Sequence, residues 1–472
     1  MTKFFKNSCS NDLSGAELMR TTVKITTSSP PCKGECPPKA DWRVFFTQGE
    51  FLKRSLLFSF FLFLLSSQAM AAYILIPMDD SQKNHLKAYG IAYWVLQAEV
   101  EVDWLLNYRG GSFMCKYAQQ IEDECRIRGV SYDIIADAQS TAILQEIADP
   151  EVNMDVAKLE KVPKIAVYSP KNKQPWDDAV TLVLTYAEVP YDVVYDQEVL
   201  DGKLLLYDWL HLHHEDFTGQ YGRFWRSYKD TPWYQEQVKY SEEMARKNGF
   251  NKVSELKLAV ANRIKEYTVG GGFLFAMCSG TDSYDIALSA HKLDICENMF
   301  DGDGSTPDYN SQLDFDNCVA FEKFRLSTNP SEYEFSNIDA TAHRQGKVTQ
   351  TTDFFSLFEF SAKWDPVPTM LCQNHEQLIK GFMGQTTAFR KQFIKPDVLI
   401  MGENKSLQEA RYIHGTLGNG QWTFYGGHDP EDYQHFVYDP PTDLNLHPDS
   451  PGYRLILNNI LFPAAKKKKQ KT

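Results

Sequence analysis

Residues 270–281 read Gly-Gly-Gly-Phe-Leu-Phe-Ala-Met-Cys-Ser-Gly-Thr, and this stretch decides the predicted fold. Its apolar part, 273–277, predicts a short buried strand that ends at Cys278. The small residues after Cys278 permit a sharp turn into the helix pattern that follows. Such a turn lifts a side chain to the edge of a parallel sheet, beside the exposed N–H groups of a helix N-terminus. A thiol there has a lowered pKa and a site for an oxyanion, so Cys278 is the candidate nucleophile.

The patterns on either side of this stretch alternate between strand and helix. Strands are predicted at 73–78, 102–108, 132–135, 164–168, 191–195, 205–212, 397–400 and 422–425. The alternation predicts an α/β fold with a mostly parallel sheet that helices cover on both faces. The segment 297–396 is polar and aromatic and lacks this alternation. We interpret it as an inserted subdomain between the two parts of the α/β domain, 72–296 and 397–465.

Length and composition fit a globular chain with one large domain or two. The chain has 472 residues, 43% of them hydrophobic, and a formal net charge of −13. Because nucleic-acid binding needs a basic face, this charge argues against a nucleic-acid partner. We expect a small-molecule or peptide-like substrate, and the oligomeric state is left open. The lysines in 466–472 predict a solvated basic tail.

An export signal is predicted near the N-terminus. A basic pair precedes the apolar run 55–65, and a small-residue exit ends at Ala71. The alternatives are a buried helix or a membrane anchor, although the run is shorter than the roughly 20 apolar residues that span a bilayer. We interpret 1–71 as an extension followed by a signal peptide, with cleavage near Ala71. The mature protein is then periplasmic or extracellular.

The cysteines bear on the same question of export. Those that follow the predicted signal peptide are Cys115, Cys125, Cys278, Cys296, Cys318 and Cys372. An even number of cysteines in an exported chain allows disulfides. They are too sparse for a disulfide scaffold, and this part of the chain has no Cys-x-x-Cys pair. The pairing is left open.

A nucleophilic cysteine needs a histidine that moves a proton and an acid that orients the histidine. His428 follows the predicted strand 422–425, which places it at the carboxyl edge of the sheet where Cys278 is expected. Asp429 and Glu431 come next, and either can hold the imidazole. The alternative for Cys278 is a structural role, because free cysteine is among the most buried residue types.

These two regions resemble the class I glutamine amidotransferase-like superfamily. The matching segments are Ala276-Met277-Cys278-Ser279-Gly280 and His428-Asp429-Pro430-Glu431. The chain departs from the superfamily pattern at Ala276, where a glycine is usual, and in one additional residue between His428 and Glu431. The resemblance implies a flavodoxin-like fold, a Cys–His–acid triad, and an exported amidase or other hydrolase.

The mature sequence also resembles exported bacterial proteins that are often labelled asparagine synthetase B. That label implies a glutamine-hydrolysing activity, which is one alternative function. A second alternative is a non-catalytic protein that uses the same pocket to bind a ligand or a partner. A third is a metal-dependent hydrolase.

The segment 211–216 reads His-Leu-His-His-Glu-Asp and is the second candidate site. As a strand it places His211, His213 and Glu215 on one face, where imidazoles and a carboxylate can bind zinc. Alternatively, as the resemblance implies, the loop after this strand borders the active site and binds substrate. Its substrate-binding candidates are His213, His214, Glu215 and Asp216. The third interpretation is a polar strand end with satisfied histidines. We expect no cofactor, with zinc as the one alternative.

Three further candidates concern negative charge on the substrate. The Ser279 N–H and a donor from 213–219 are expected to bind the oxyanion. Arg109 follows the predicted strand 102–108 and is a candidate ligand for a substrate carboxylate. The glycine-containing segment 381–387 is either an anion-binding loop or a plain loop.

Overall fold

The computed structural model describes residues 71–170, 174–327 and 329–466. The predicted signal peptide, apart from Ala71, and nearly all of the predicted basic tail lie outside these residues, so both stay predictions. The described residues all belong to one compact unit, Ala69–Thr472. None of the helices in the described ranges combines the length and the apolar character that a membrane crossing needs.

The N-terminal part of the described chain forms a five-stranded antiparallel sheet. Its strands are β1 (Ala71–Ile76), β2 (Val102–Leu106), β3 (Ser112–Lys116), β4 (Asp133–Ala136) and β5 (Asp155–Leu159), in the order β4-β1-β3-β2-β5. The helices of this part are α1 (His85–Gln97), α2 (Gln119–Arg128) and α3 (Asp137–Ala148). Trp104 of β2 and Phe113 of β3 are fully buried with Tyr89 of α1, and these rings anchor the helix to the sheet.

The second sheet has ten strands and is mixed. They are β6 (Ile165–Tyr168), β7 (Asp192–Val194), β8 (Trp209–Leu212), β9 (Phe273–Met277), β10 (Phe354–Leu357), β11 (Leu378–Lys380), β12 (Phe389–Arg390), β13 (Leu399–Asn404), β14 (Glu409–Leu417) and β15 (Gly420–Tyr425). The order is β11-β10-β13-β14-β15-β9-β8-β6-β7, and β12 pairs with β14. The half from β15 to β7 is parallel, and the half from β11 to β15 is antiparallel.

The prediction of a mostly parallel, flavodoxin-like sheet is therefore wrong. Some of the antiparallel pairs join strands that are separated by short connections, such as 107–111 between β2 and β3 and 418–419 between β14 and β15. A parallel pair needs a crossover of a dozen or more residues, which these connections cannot supply. The strand–helix alternation predicted nine of the fifteen strands in the described residues. Short connections account for some of the antiparallel pairs, whereas others, such as β1 with β4, join strands that are far apart in sequence.

The remaining helices of the described residues follow β6 in the chain. They are α4 (Ala179–Tyr186), α5 (Asp196–Leu200), α6 (Trp225–Tyr228), α7 (Pro232–Lys247), α8 (Val253–Gly270), α9 (Ser279–Ser289), α10 (Asn298–Asp301), α11 (Thr341–Arg344), α12 (Pro366–Leu371) and α13 (Pro451–Leu461). In α8, Leu256, Val260 and Ile264 are fully buried at helical spacing, so one face of the helix packs into the core. The α8–β9–α9 unit carries the stretch 270–281.

The segment 297–396 contributes to the second sheet. It contains β10, β11 and β12, which extend the antiparallel half of that sheet through pairs with β13 and β14. Its remaining described residues are short helices and loops. Cysteines 115, 125, 278, 296, 318 and 372 are all free thiols in the part of the chain that the structure describes.

Candidate active site

Three strand ends meet at the carboxyl edge of the parallel half of the second sheet. In that half, β9 lies between β8 and β15 and is hydrogen-bonded to both. Cys278 follows β9, His213 follows β8, and His428 lies three residues beyond β15. The structure thus brings these three side chains, which are far apart in sequence, to one edge of the sheet.

Cys278 has a strained backbone. Its φ is 49° and its ψ is −140°, a conformation that costs a non-glycine residue about 1–3 kcal/mol and persists only where the surroundings fix it. Its N–H donates to Gly427 O at 3.2 Å. The Gly280 N–H donates to His213 O at 2.6 Å, and a Cβ on residue 280 would lie 2.4 Å from that oxygen. The strand, strained residue and helix form the kind of elbow that presents a nucleophile at a sheet edge.

Backbone N–H groups surround the Cys278 sulphur. Gln385 N–H donates to Sγ at 3.3 Å, and the N–H groups of Thr386 and Ser279 also face it. Burial raises the pKa of the thiol to about 11, and these N–H groups oppose that rise. The residue is only 3% exposed. The resting group is therefore a neutral thiol in a setting that can accept negative charge.

His428 is hydrogen-bonded to another histidine. His213 Nε2 lies 3.0 Å from His428 Nδ1, and His213 Nδ1 lies 3.3 Å from Asp178 Oδ1. If the ionised carboxylate of Asp178 accepts the His213 Nδ1 proton, His213 Nε2 must accept from His428 Nδ1–H. His428 Nε2 then carries a lone pair, and that atom is buried without a hydrogen-bond partner among the described residues.

Burial and the neighbouring charges support this proton assignment. Burial, and next the adjacent His213, hold the pKa of His428 well below its ordinary value. Burial raises the pKa of Asp178, but His211 and His213 lower it by more, so the net pKa lies well below the ordinary value. Asp178 also accepts the N–H groups of Val180 and Thr181 as the N-cap of α4. The neutral imidazole and the ionised acid are therefore the favoured forms.

A third histidine stacks on His428. The ring of His435 lies 4.7 Å from that of His428 at an interplanar angle of 20°. Its Nε2 is 2.9 Å from Asp177 Oδ1 and its Nδ1 is 2.8 Å from Asp432 Oδ2. Burial lowers the pKa of His435, but the two carboxylates outweigh burial and raise the pKa to about 9. His435 is thus a fixed cation on one face of the His428 ring.

The two acids that the sequence suggested as partners of His428 have other contacts. Asp429 is fully buried and accepts hydrogen bonds from Thr442 Oγ1 at 2.7 Å and from the Glu431 N–H at 2.8 Å. Glu431 Oε2 lies 3.1 Å from His447 Nδ1. In the described residues, the hydrogen bond of His428 Nδ1 goes to His213. No hydrogen bond joins the His428 ring to the Cys278 sulphur there.

The substrate-binding candidates near β8 differ in their surroundings. His214 Nδ1 is buried and lacks a hydrogen-bond partner within the described ranges. The carboxylate of Asp216 accepts the N–H groups of Thr218, Gln220 and Gly222, so it shapes its own loop. Glu215 accepts from Tyr195 OH at 3.3 Å, and burial raises its pKa to about 7. Of these candidates, His213 and His214 each have a buried ring nitrogen without a hydrogen-bond partner among the described residues, and the His213 nitrogen lies 3.3 Å from Asp178 Oδ1.

The two remaining candidates, Ser279 and Arg109, lie in different parts of the structure. Ser279 stands beside the Cys278 sulphur, and its N–H is one of the groups that face it. Arg109 belongs to the connection between β2 and β3 in the five-stranded sheet. Its guanidinium is paired with Asp79 at 2.7 Å and with Asp133 at 3.0 Å. The structure therefore groups Ser279 with Cys278 and places Arg109 in a separate ion-pair cluster.

Several histidine groups have the spacing that a metal ion requires. One ring nitrogen from each of His213, His214 and His428 lies within 4.8 Å of the other two. The zinc candidates suggested by the sequence were His211, His213 and Glu215. The structure places His211 and His213 around Asp178 instead, at 3.2 and 3.3 Å from its carboxylate oxygens. The histidines therefore enter several alternative ligand groups, among them His211 and His213 with Asp178, and His428 and His435 with Asp177.

Sequence reasoning missed two contributors to this site. Asp178 follows β6 and begins α4, at the same sheet edge as Cys278, and this position after a predicted strand was the available signal. Gln385 approaches the sulphur from the 381–387 loop, which the sequence left open as anion-binding or plain. Nothing in the sequence linked that loop to Cys278, because the contact spans more than a hundred residues.

Comparisons with known proteins leave the family of this chain open. No family model matches it, and no curated protein matches it. The cytoplasmic protein STM3548 from Salmonella typhimurium aligns with a TM-score of 0.32 at 10% identity, over 65% of this chain and 100% of its own.

Two other solved structures give similar results. The cytoplasmic protein STM1381 from Salmonella typhimurium LT2 aligns at 0.31 with 11% identity, over 64% of this chain and 100% of its own. The GH42 beta-galactosidase Gan42B aligns at 0.24 with 11% identity, over 57% of this chain and 28% of its own. Likenesses at these scores carry no argument about fold or function.

Proposed function

We propose that this protein is a cysteine-nucleophile hydrolase that cleaves an amide or related acyl bond, with Cys278 as the nucleophile. The single observation that carries the proposal is the strained elbow conformation of Cys278 with backbone N–H groups around its sulphur. Strain at a strand-to-helix turn is typical of nucleophile sites. The segments that resemble class I glutamine amidotransferases support an amide as the substrate class.

In the proposed reaction, Cys278 Sγ attacks the substrate carbonyl carbon while His428 Nε2 takes the thiol proton. The carbonyl π electrons move to oxygen, and the N–H groups of Gln385, Thr386 and Ser279 stabilise the oxyanion. The tetrahedral intermediate collapses to a thioester as His428 gives its proton to the leaving amine. Water then attacks the thioester with His428 as base, which releases the acid and restores the thiol.

The acid of this machinery is Asp178, and it acts through His213. In the proposed arrangement, the Asp178 carboxylate lies 3.3 Å from His213 Nδ1 and favours a proton on that nitrogen. His213 Nε2 then accepts from His428 Nδ1–H, and His428 Nε2 is left as the base. The described residues show no hydrogen bond between that nitrogen and the sulphur, and catalytic hydrogen bonds often form only when substrate binds. Together with the predicted signal peptide, this describes an exported hydrolase.

The test is hydrolysis of a panel of amino-acid amides, including glutamine, and of aryl esters by the purified protein, combined with intact-mass detection of an acyl adduct. We expect Cys278→Ala to lose both the adduct and at least about 100-fold of the rate. The matched control is Cys372→Ala, which removes a partly buried thiol on a different element. Undiminished hydrolysis by Cys278→Ala would refute the cysteine mechanism, and a copurifying ligand without turnover would favour a binding protein.

A further inference from the structure

We propose that His213, His214 and His428 form a binding site for a divalent transition-metal ion, and that zinc is the ion that fits it best. The three residues lie at the ends of neighbouring elements, since His213 and His214 follow β8 and His428 follows β15. One ring nitrogen from each lies within 4.8 Å of the others. The site differs from the zinc set that the sequence suggested.

The spacing of the nitrogens suits a single ion. Zinc–nitrogen bonds of about 2.0–2.1 Å in a tetrahedral arrangement place two ligand nitrogens about 3.3 Å apart. His213 Nε2 and His428 Nδ1 are 3.0 Å apart, so a separation of a few tenths of an ångström admits the ion between them. Three imidazoles leave the fourth position of a tetrahedral ion open for water or another ligand.

The surroundings of two of the imidazoles favour a metal ligand. Metal-bound histidines usually pass their other ring N–H to a carboxylate, which fixes the tautomer and raises ligand basicity. Asp178 Oδ1 is 3.3 Å from Nδ1 of His213 and leaves Nε2 for the metal. His214 Nδ1 is buried and has no hydrogen-bond partner in the described part of the chain. A buried imidazole nitrogen without a partner gains a bond when the ion enters.

Metal binding has a consequence for the hydrolase, and this part of the inference rests on the proposed function. A neutral imidazole has one N–H group, which in His428 is on Nδ1 and donates to His213. An ion on Nδ1 forces that proton onto Nε2, the atom proposed to take the thiol proton from Cys278. The zinc-bound form therefore cannot perform the first proton transfer, and zinc should inhibit the hydrolase.

The direct test measures binding without any reference to activity. The purified full chain is stripped with a chelator and titrated with CoCl₂ while the visible absorption of Co²⁺ is recorded, and ZnCl₂ is then added as a competitor. We expect one equivalent of Co²⁺ with the intense bands of a tetrahedral site, and their loss when Zn²⁺ displaces the cobalt. A wild-type chain that binds no stoichiometric Co²⁺ or Zn²⁺ overturns the site.

Variants locate the ion. His214→Gln removes one ligand and should weaken Zn²⁺ binding at least about tenfold, and Asp178→Asn should weaken it about 10–100-fold through His213. The matched control, His291→Gln, removes a half-buried imidazole that faces Asp314 and should bind as the wild type does. Circular dichroism establishes that each variant is folded, and the wild-type titration stands even if a variant is not. Undiminished binding by folded His214→Gln overturns the ligand assignment.

Activity assays separate the two proposals. Metal-free protein that hydrolyses substrate and loses at least about tenfold of its rate with one equivalent of zinc supports both. Bound zinc with unchanged hydrolysis overturns only the inhibitory link. Absence of hydrolysis in both forms counts against the proposed function, while the cobalt titration still decides the site. Hydrolysis by the zinc-loaded form alone overturns inhibition, and its persistence in Cys278→Ala would replace the cysteine mechanism with a metal one.

Discussion

His213 Nε2 lies 3.0 Å from His428 Nδ1, and this contact bridges the strand that carries Cys278. Because β9 lies between β8 and β15, the residues that follow the outer strands meet beyond the end of the middle one. The contact determines which nitrogen of His428 is available as a base. In the two proposals above, this histidine pair serves proton transfer in one state and metal binding in the other.

The first prediction concerns Asp178, the carboxylate next to His213. Asp178→Asn removes the charge that orders His213 and, through it, the His428 tautomer, while the amide can still cap α4. We expect kcat to fall about 100-fold or more with little change in KM, because the loss concerns proton transfer. Steady-state kinetics on chelator-treated protein measure this, with Asp149→Asn on the surface as control. An unchanged kcat would remove Asp178 from the mechanism.

The second prediction concerns access to the buried sulphur. Gln385 Nε2 donates to Gly222 O at 2.8 Å and to Tyr333 O at 3.0 Å, which holds the 381–387 loop over Cys278. Gln385→Ala breaks both bonds and keeps the backbone N–H. We expect alkylation of Cys278 by iodoacetamide to be several-fold faster, as followed by peptide mass spectrometry.

The control for Gln385→Ala is Gln408→Ala. Among the described residues, the exposed side-chain amide of Gln408 donates to Lys405 O, so its loss should leave the alkylation rate of Cys278 unchanged. Equal alkylation rates in wild type and Gln385→Ala would mean that the loop does not limit access to the sulphur.

The third prediction concerns stability in acid. His85 and His375 stack at 4.2 Å beside Arg454, and burial followed by the guanidinium lowers their pKa values to about 3 and about 4. The folded state therefore binds fewer protons than the unfolded state between pH 6.5 and these values. Stability from this pair is present above pH 6.5 and is lost as the pH falls toward 4.

His85→Gln isolates the contribution of the more buried ring. As the pH falls from 6.5 to 4.5, the unfolding free energy of the wild type should decrease faster than that of the variant. The difference should be about 1.4 kcal/mol per pH unit. Urea unfolding at several pH values measures the difference, with His291→Gln as the control. Parallel pH profiles for wild type and His85→Gln would contradict the assignment.

The fourth prediction concerns a buried ion pair that supports the parallel half of the second sheet. Lys257 Nζ of α8 lies 3.0 Å from Asp196 Oδ1 and donates to Tyr168 OH and Tyr195 OH. Both charged side chains are almost fully buried. Lys257→Met leaves the Asp196 charge uncompensated, and we expect a loss of about 3–5 kcal/mol in unfolding free energy.

A second substitution separates the charge effect from lost packing. The double variant Lys257→Met with Asp196→Asn removes both charges, so much of the stability should return in urea unfolding. If the double variant is as unstable as Lys257→Met alone, packing rather than charge would explain the loss.

Part of the site could be predicted from local sequence, and part could not. The strand before Cys278 follows from the apolar run at 273–277, and the turn after it follows from the small residues there. Both signals lie within a few positions of Cys278. The partner of His428 is not local. Asp429 and Glu431 are adjacent in sequence, but their oxygens bond to Thr442 and His447, and the ring meets His213 across the sheet.

The sequence by itself indicated many of the strands and helices, including those around Cys278, and which side chains have reactive chemistry, because periodicity and turn residues act over a few positions. It missed other strands, such as β3, β5 and β14. It did not determine strand direction, and the mostly parallel sheet was wrong for that reason. Only the tertiary structure decided that Asp178, His213 and His428 form one line and that Gln385 covers Cys278. These contacts depend on strand order and loop packing, which arise from burial of the whole core rather than from any single segment.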